Sequence, residues 1–255
     1  MSIIPCFSSH YSYGSSILTL EEAGKTTAGN PVSICDIAKT NSLKQVVLVE
    51  DRIDGFIEAY KNLNKVGAQL IYGVKLCVCD DMSVKDDASL RNNSNVVIFI
   101  RNSQGYNDLI KLWNRAWTDG FYYHGRIDWK TIKQFWTPNL AMAIPFFSGF
   151  IARNTLTLAS IVPDFPVPTK ELFLLHEVGS GLPFVSLIEE GINQFVANSG
   201  AHIQDVKSIY YEKASDFPAY VTFRAIHNRA QFSSPRVDHL CSDKFSWEAY
   251  KELTK

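Results

Sequence analysis

The chain has no apolar run approaching the roughly 18–20 residues that a membrane span needs. Residues 1–7 are short, uncharged and interrupted by Pro5, so they lack the basic start and long apolar core of a signal peptide. A soluble, cytoplasmic protein with no membrane contact is the expectation. Charge of one sign is also lacking: 25 Lys and Arg against 26 Asp and Glu leave a net charge of −1. No global field therefore draws the protein to nucleic acid, and any DNA contact is expected to be local or made through a partner.

Cysteine is sparse, with five residues at irregular spacing. Cys77 and Cys79 form one close pair on an expected strand. No second pair stands at zinc-site spacing, so free buried thiols in a reducing compartment are expected. Residues 24–29 read GKTTAG, but the lysine is misplaced for a phosphate-cradling loop and no β-branched strand leads into it. There is no G-x-S-x-G elbow. His124 and His227 have no catalytic partner nearby in sequence and read as surface or hydrogen-bonded residues.

What is present is a chain of 255 residues with 46% hydrophobic and 20% charged residues, suited to one large domain over residues 1–255. Strands are expected at 3–7, 45–49, 70–78, 96–100, 140–144, 172–175 and 202–208, with a short one at 17–20. The run at 45–49 is continuous and β-branched, as in strands buried on both faces. Helical spacing joins Ile53, Phe56, Ile57, Tyr60 and Leu63, with Gly67 as the stop. Tyr106, Leu109, Ile110, Trp113 and Trp117 form a second helical stripe, read as core. Ser33 reads as an N-cap with Asp36 as its acidic partner. Further helices are marked by Leu187–Val196 spacing before Gly200, and by Phe217, Tyr220, Val221, Arg224 and Ile226. This alternation predicts an α/β fold with βαβ crossovers and a parallel sheet, open or closed.

In such folds the functional groups gather at the C-terminal strand ends. There the sequence offers Ser8, Ser9 and His10, then Glu50 and Asp51, Lys75, Asn95, Ser148 with Gly149, and finally Asp205 and Lys207. A metal cluster needs several converging carboxylates or imidazoles. The two lysines oppose a divalent cation, so the set is too thin for a metal site.

Several segments resemble the PHP (polymerase and histidinol phosphatase) domain, in the form found at the N-terminus of bacterial DNA polymerase III α subunits. They are residues 50–78 (EDRIDGFIEAYKNLNKVGAQLIYGVKLCV), residues 102–128 with GY, GFYY and RID in the family's order, residues 205–217 (DVKSIYYEKASDF) and the opening SSHYSYG. The resemblance implies a distorted (β/α)7 barrel whose active members hold up to three metal ions and hydrolyse phosphoesters. It places family ligand positions on Ile4, Cys6, Ser8 and His10, on Val49 and Glu50, on Lys75, Asn95 and Phe150, and on Asp205 and Lys207. Most of these residues are poor ligands or none, so the expectation is no catalytic residue and no metal or other cofactor. The residual candidates are His10, Glu50, Asp51 and Asp205.

The expected function is accordingly that of a catalytically inactive scaffold in DNA replication, a stand-alone and phage-like form. Its expected partner is a replication protein such as a DNA polymerase or a proofreading exonuclease. Two alternatives stand beside it. One is a phosphoesterase or 3′–5′ exonuclease using Mn or Zn on His10, Glu50, Asp51 and Asp205. The other is DNA binding by Arg224, His227, Arg229 and Arg236 beside Phe232. Against that strip, Asp238, Asp243, Glu248 and Glu252 favour a solvated face, with DNA binding weak or absent.

Overall fold

The computed structural model describes residues 2–27, 29–157, 159–229 and 242–255. Its main elements are β1 (Ile4–Phe7), α1 (Ile34–Thr40), β2 (Gln45–Glu50), α2 (Phe56–Lys65), β3 (Gln69–Cys79) and β4 (Ser94–Ile100). They continue with α3 (Ser103–Thr118), β5 (Arg126–Asp128), α4 (Trp129–Phe135), β6 (Leu140–Ile144), α5 (Phe150–Thr157) and β7 (Phe173–Glu177). The last are α6 (Val185–Ser199), β8 (His202–Ile209), α7 (Phe217–His227) and α8 (Trp247–Leu253). Among the described residues no helix is long and apolar enough to cross a membrane.

The strand order is β2-β1-β8-β7-β6-β4-β3-β5, with a further β2–β3 pairing that returns the order to its start. That closed α/β order is the barrel class expected from the sequence. The chain divides into two compact units.

The first unit comprises Met1–Gly73, Glu177–Leu182 and Asp205–Lys255. Here β1 runs parallel to both β2 and β8, with Cys6 opposite Val47 on one side and Ser208 on the other. Phe7, Val46, Leu48 and Ile209 are wholly buried, each contributing roughly 1.5–3 kcal/mol of transfer free energy. Ser33 caps α1 by accepting from Cys35 N at 3.1 Å, as expected. Asp36 does not complete that cap; it accepts from Gly24 N and Thr26 Oγ1 and secures the preceding loop. Residues 17–20 form no strand. Ile17 N donates to Tyr210 O while Thr19 N donates to Val32 O, so successive bonds go to different segments and no ladder forms.

The second unit comprises Val74–His176 and Pro183–Gln204. Within it β3 pairs parallel with β5, and β6 with β7. β4 and β6 are antiparallel, Val97 lying opposite Ala143, which corrects the all-parallel expectation. A continuous apolar run records burial on both faces and says nothing of strand direction. Asn102 caps α3 and Asp128 caps α4. Leu109, Leu112 and Ala116 form the buried face of α3, whereas Trp117 lies at the surface. α6 ends at Gly200, whose φ of 69° is the left-handed stop foreseen from the sequence.

Candidate functional site

The polar groups of the first unit collect where β1 and β2 end. Hydrogen bonding to the end of β2 and to Asp51 fixes the turn that follows β1. Ser8 Oγ donates to Val49 O at 2.6 Å, and Ser9 N donates to Glu50 Oε1 at 3.0 Å. Ser12 Oγ donates to Glu50 Oε2 and accepts from Asp51 N at 2.8 Å. Ser15 Oγ donates to Asp51 Oδ2 at 2.8 Å. Glu50 is wholly buried. Burial pushes its carboxyl up to about 7, against the pull of the Ser12 and Ser9 hydrogen bonds. Glu50 is therefore committed to holding residues 9–12, with a donor on each oxygen.

A second buried cluster lies where β7 meets β8. Glu177 ends β7 and is 2% exposed, and Lys207 on β8 is 0% exposed. Lys207 Nζ donates to Val178 O at 3.0 Å and Gly179 O at 2.9 Å, and lies 3.4 Å from Glu177 Oε1. It also sits 4.9 Å from the centre of the Phe245 ring. Glu177 accepts from Ser208 N on both oxygens at 3.1 Å and from Ser208 Oγ at 2.5 Å. Burial pushes the Glu177 carboxyl up and the Lys207 ammonium down, each opposed by the partner's charge.

Of the residual metal candidates, Glu50 and Asp51 are adjacent and share Ser12, but His10 is not drawn to them. Its exposed ring stands 4.4 Å from that of Tyr11. Asp205 is half-buried on β8. In the second unit Phe150 packs among aromatic rings, 5.9 Å from Phe165 and 5.3 Å from Phe195. There Asn95 N donates to Ser148 O at 2.8 Å, and Lys75 lies half-buried on β3. Among the described residues no group of three or more His, Cys, Asp or Glu stands together to hold a metal ion. The donors described do not fit one: an ammonium stands on β8, and the buried carboxylates already have hydrogen-bond donors.

Sequence reasoning missed Glu177, Ser208 and Ser12. The signal for Glu177 was a carboxylate closing the run FLLHE, but the expected strand stopped at residue 175. His124 also has a neighbour that sequence proximity hides, its Nε2 lying 3.3 Å from Cys77 Sγ. Burial pushes that thiol up to about 12, the opposite of an activated nucleophile. In the basic strip, Arg224 is buried against the Tyr220 ring with Nη1 donating to Gly14 O, so it does not present a surface charge. Phe232, Arg236 and Asp238 lie outside the described residues.

Comparison with known proteins matches the family described as PHP domain to residues 9–157. The chain is 26% identical over 226 residues to a DNA polymerase III subunit alpha of Borreliella burgdorferi, covering 85% of this chain and 19% of that protein. It is 22% identical over 210 residues to the Thermus aquaticus subunit, covering 78% and 17% respectively. To the Chlamydia pneumoniae subunit it is 30% identical over 124 residues, covering 48% and 9%. The chain thus spans less than a fifth of the length of these curated relatives. The family match takes in Glu50 and Asp51 but stops before Glu177 and Lys207.

Proposed function

The chain belongs to the PHP domain family, and we propose that it has lost metal-dependent hydrolysis and serves as a protein-interaction scaffold in DNA replication. The observation carrying this reading is the buried Lys207 ammonium, held by two backbone carbonyls beside Glu177. By the family resemblance that position belongs to a metal-binding histidine. A tethered ammonium supplies internally the positive charge that a cation would bring. It also repels a divalent ion placed next to it, because Coulomb repulsion is poorly screened in a buried site.

Glu50 supports the same reading. A carboxyl held near neutrality by burial, with donors on both oxygens, is a weaker cation ligand than a solvated carboxylate, because the ion must displace a proton and rearrange residues 9–12. The replication setting comes from the polymerase III alpha relatives. The partner proposed is a polymerase body or a proofreading exonuclease.

The test is hydrolysis of 4-nitrophenyl phosphate and of 3′-labelled DNA with added Mn²⁺ or Zn²⁺, together with binding to a purified polymerase body and exonuclease. Expected are no metal-stimulated rate and a stoichiometric complex with one of the two proteins. A metal-dependent rate abolished by Glu50→Gln overturns the loss of catalysis, and failure to bind either protein overturns the scaffold role.

A further inference from the structure

Within the second unit, the C-terminal end of α3 and the segment after it carry a run of surface aromatic rings. Trp113, Trp117 and Phe121 form a ladder with centroids 5.3 and 6.0 Å apart. Trp117 is 37% exposed, Phe121 45% and Tyr123 74%. Their geometry is built in. A Cβ on Gly125 would meet the Trp117 indole at 2.7 Å, and one on Gly120 would meet Arg126 O at 1.8 Å. Only glycine lets the chain fold back this closely beneath the rings.

The floor of the patch is fixed by Arg126, a wholly buried cation. Its Nη1 donates to Ser89 Oγ at 2.9 Å, its Nη2 to Val84 O at 3.0 Å and its Nε to Gly120 O at 3.4 Å. One guanidinium thus ties the loop before β4 to the aromatic segment. Tyr122 OH reaches Asp87 Oδ1 at 3.5 Å. Tyr123, the most exposed of these rings, has a φ of 61°, a left-handed conformation that costs a non-glycine residue about 1–2 kcal/mol. Its ring meets Tyr122 edge-on at 4.7 Å between centroids, and residues strained in this way cluster at ligand clamps and other used sites.

The segment that meets Tyr122 through Asp87 is acidic in sequence. Residues 80–87 contain Asp80, Asp81, Asp86 and Asp87 against Lys85 alone. The nearby Arg115 is already paired with Asp119 at 2.7 Å. Carboxylates beside aromatic faces attract a lysine or arginine and repel phosphates.

We propose that this surface docks a basic protein segment, with a cationic side chain between Tyr123 and Asp87 and an apolar neighbour on Trp117 and Phe121. This deepens the scaffold reading and rests on it for a protein partner, but it does not depend on whether metal is lost elsewhere.

The full chain would be titrated into three fluorescent probes: a short lysine–leucine peptide, its glutamate–leucine counterpart and a short oligothymidylate. The basic peptide is expected to bind, and to lose about tenfold or more in affinity with Tyr123→Ser or with Asp86→Asn and Asp87→Asn combined. All three substituted side chains are exposed, so the variants should keep the native circular dichroism spectrum. Unchanged affinity in correctly folded variants overturns the proposal, as does preference for the acidic peptide or for oligothymidylate. Metal-dependent hydrolysis with intact peptide binding would remove the inactive-site reading alone. Failed peptide binding without hydrolysis would remove this surface alone.

Discussion

Replacing Lys207 by Met removes the ammonium while keeping most of the side-chain volume, and so isolates its electrostatic role. Two consequences follow from the structure. The carbonyls of Val178 and Gly179 lose charged donors at 3.0 and 2.9 Å. Glu177, 2% exposed, keeps Ser208 but loses the cation 3.4 Å away. Breaking a buried pair on one side costs about 3–5 kcal/mol, a large share of the roughly 5–15 kcal/mol that stabilises a domain.

The pH dependence gives the sign. Burial already raises the Glu177 carboxyl above its ordinary range, and losing Lys207 raises it further. A folded carboxyl with a raised pKa binds protons more tightly than the unfolded chain. Its unfavourable effect is therefore absent below the unfolded value of about 4.3 and develops as pH rises through the folded value. Chemical denaturation of Lys207→Met should show its smallest penalty near the acid limit, where only the lost carbonyl donors count, and a larger one as pH rises above the ordinary carboxylate range. The double variant Lys207→Met, Glu177→Gln, with a neutral amide facing Ser208, should recover at least about half of the loss, a coupling of roughly 2 kcal/mol. A pH-independent cost below about 1 kcal/mol, or a double variant no better than the single, would refute the idea that Lys207 holds this corner together.

Two further outcomes concern other buried contacts. Glu50, raised by burial from 4.5 to about 7, should make the native chain lose about 3 kcal/mol of stability as pH rises between those values. Glu50→Gln should remove that slope; an unchanged slope in denaturant titrations would assign it to another group. Gly120→Ala would drive a methyl into Arg126 O, so the chain should lose about 1–3 kcal/mol and become more readily cleaved by protease within residues 80–94. Thermal unfolding within a degree of native would show that this close approach is not required.

Strands buried on both faces were the most legible part of the sequence. The strand at Leu140–Ile144 is where its apolar run puts it, and those at Gln45–Glu50 and His202–Ile209 each extend one residue past the expected end. β5, with three residues, is too short to give a periodic signal, and its Arg126 declares itself only through partners 37 and 42 residues away. The polar end of β7 was lost for a related reason. A histidine and a glutamate after Leu175 look like a loop until Glu189 is seen to meet His176, and Ser208 and Lys207 to meet Glu177. At the site, the sequence singled out Ser9, Glu50, Asp51 and Lys207 but paired none of them and missed Ser12 and Glu177, because hydrogen bonds between segments far apart in the chain leave no local pattern. Trp117 was misassigned to the core because helical spacing identifies a stripe without fixing how far the burying layer extends along the helix.

In the reading proposed above, Lys207 and the committed carboxylates stand in place of a metal centre. Elemental analysis tests this most directly, on the native chain of residues 1–255 produced with manganese and zinc and dialysed without chelator. Metal far below one equivalent per chain, unchanged in Glu50→Gln, is the expected result. Manganese or zinc at one equivalent or more, lost in Glu50→Gln, would contradict it.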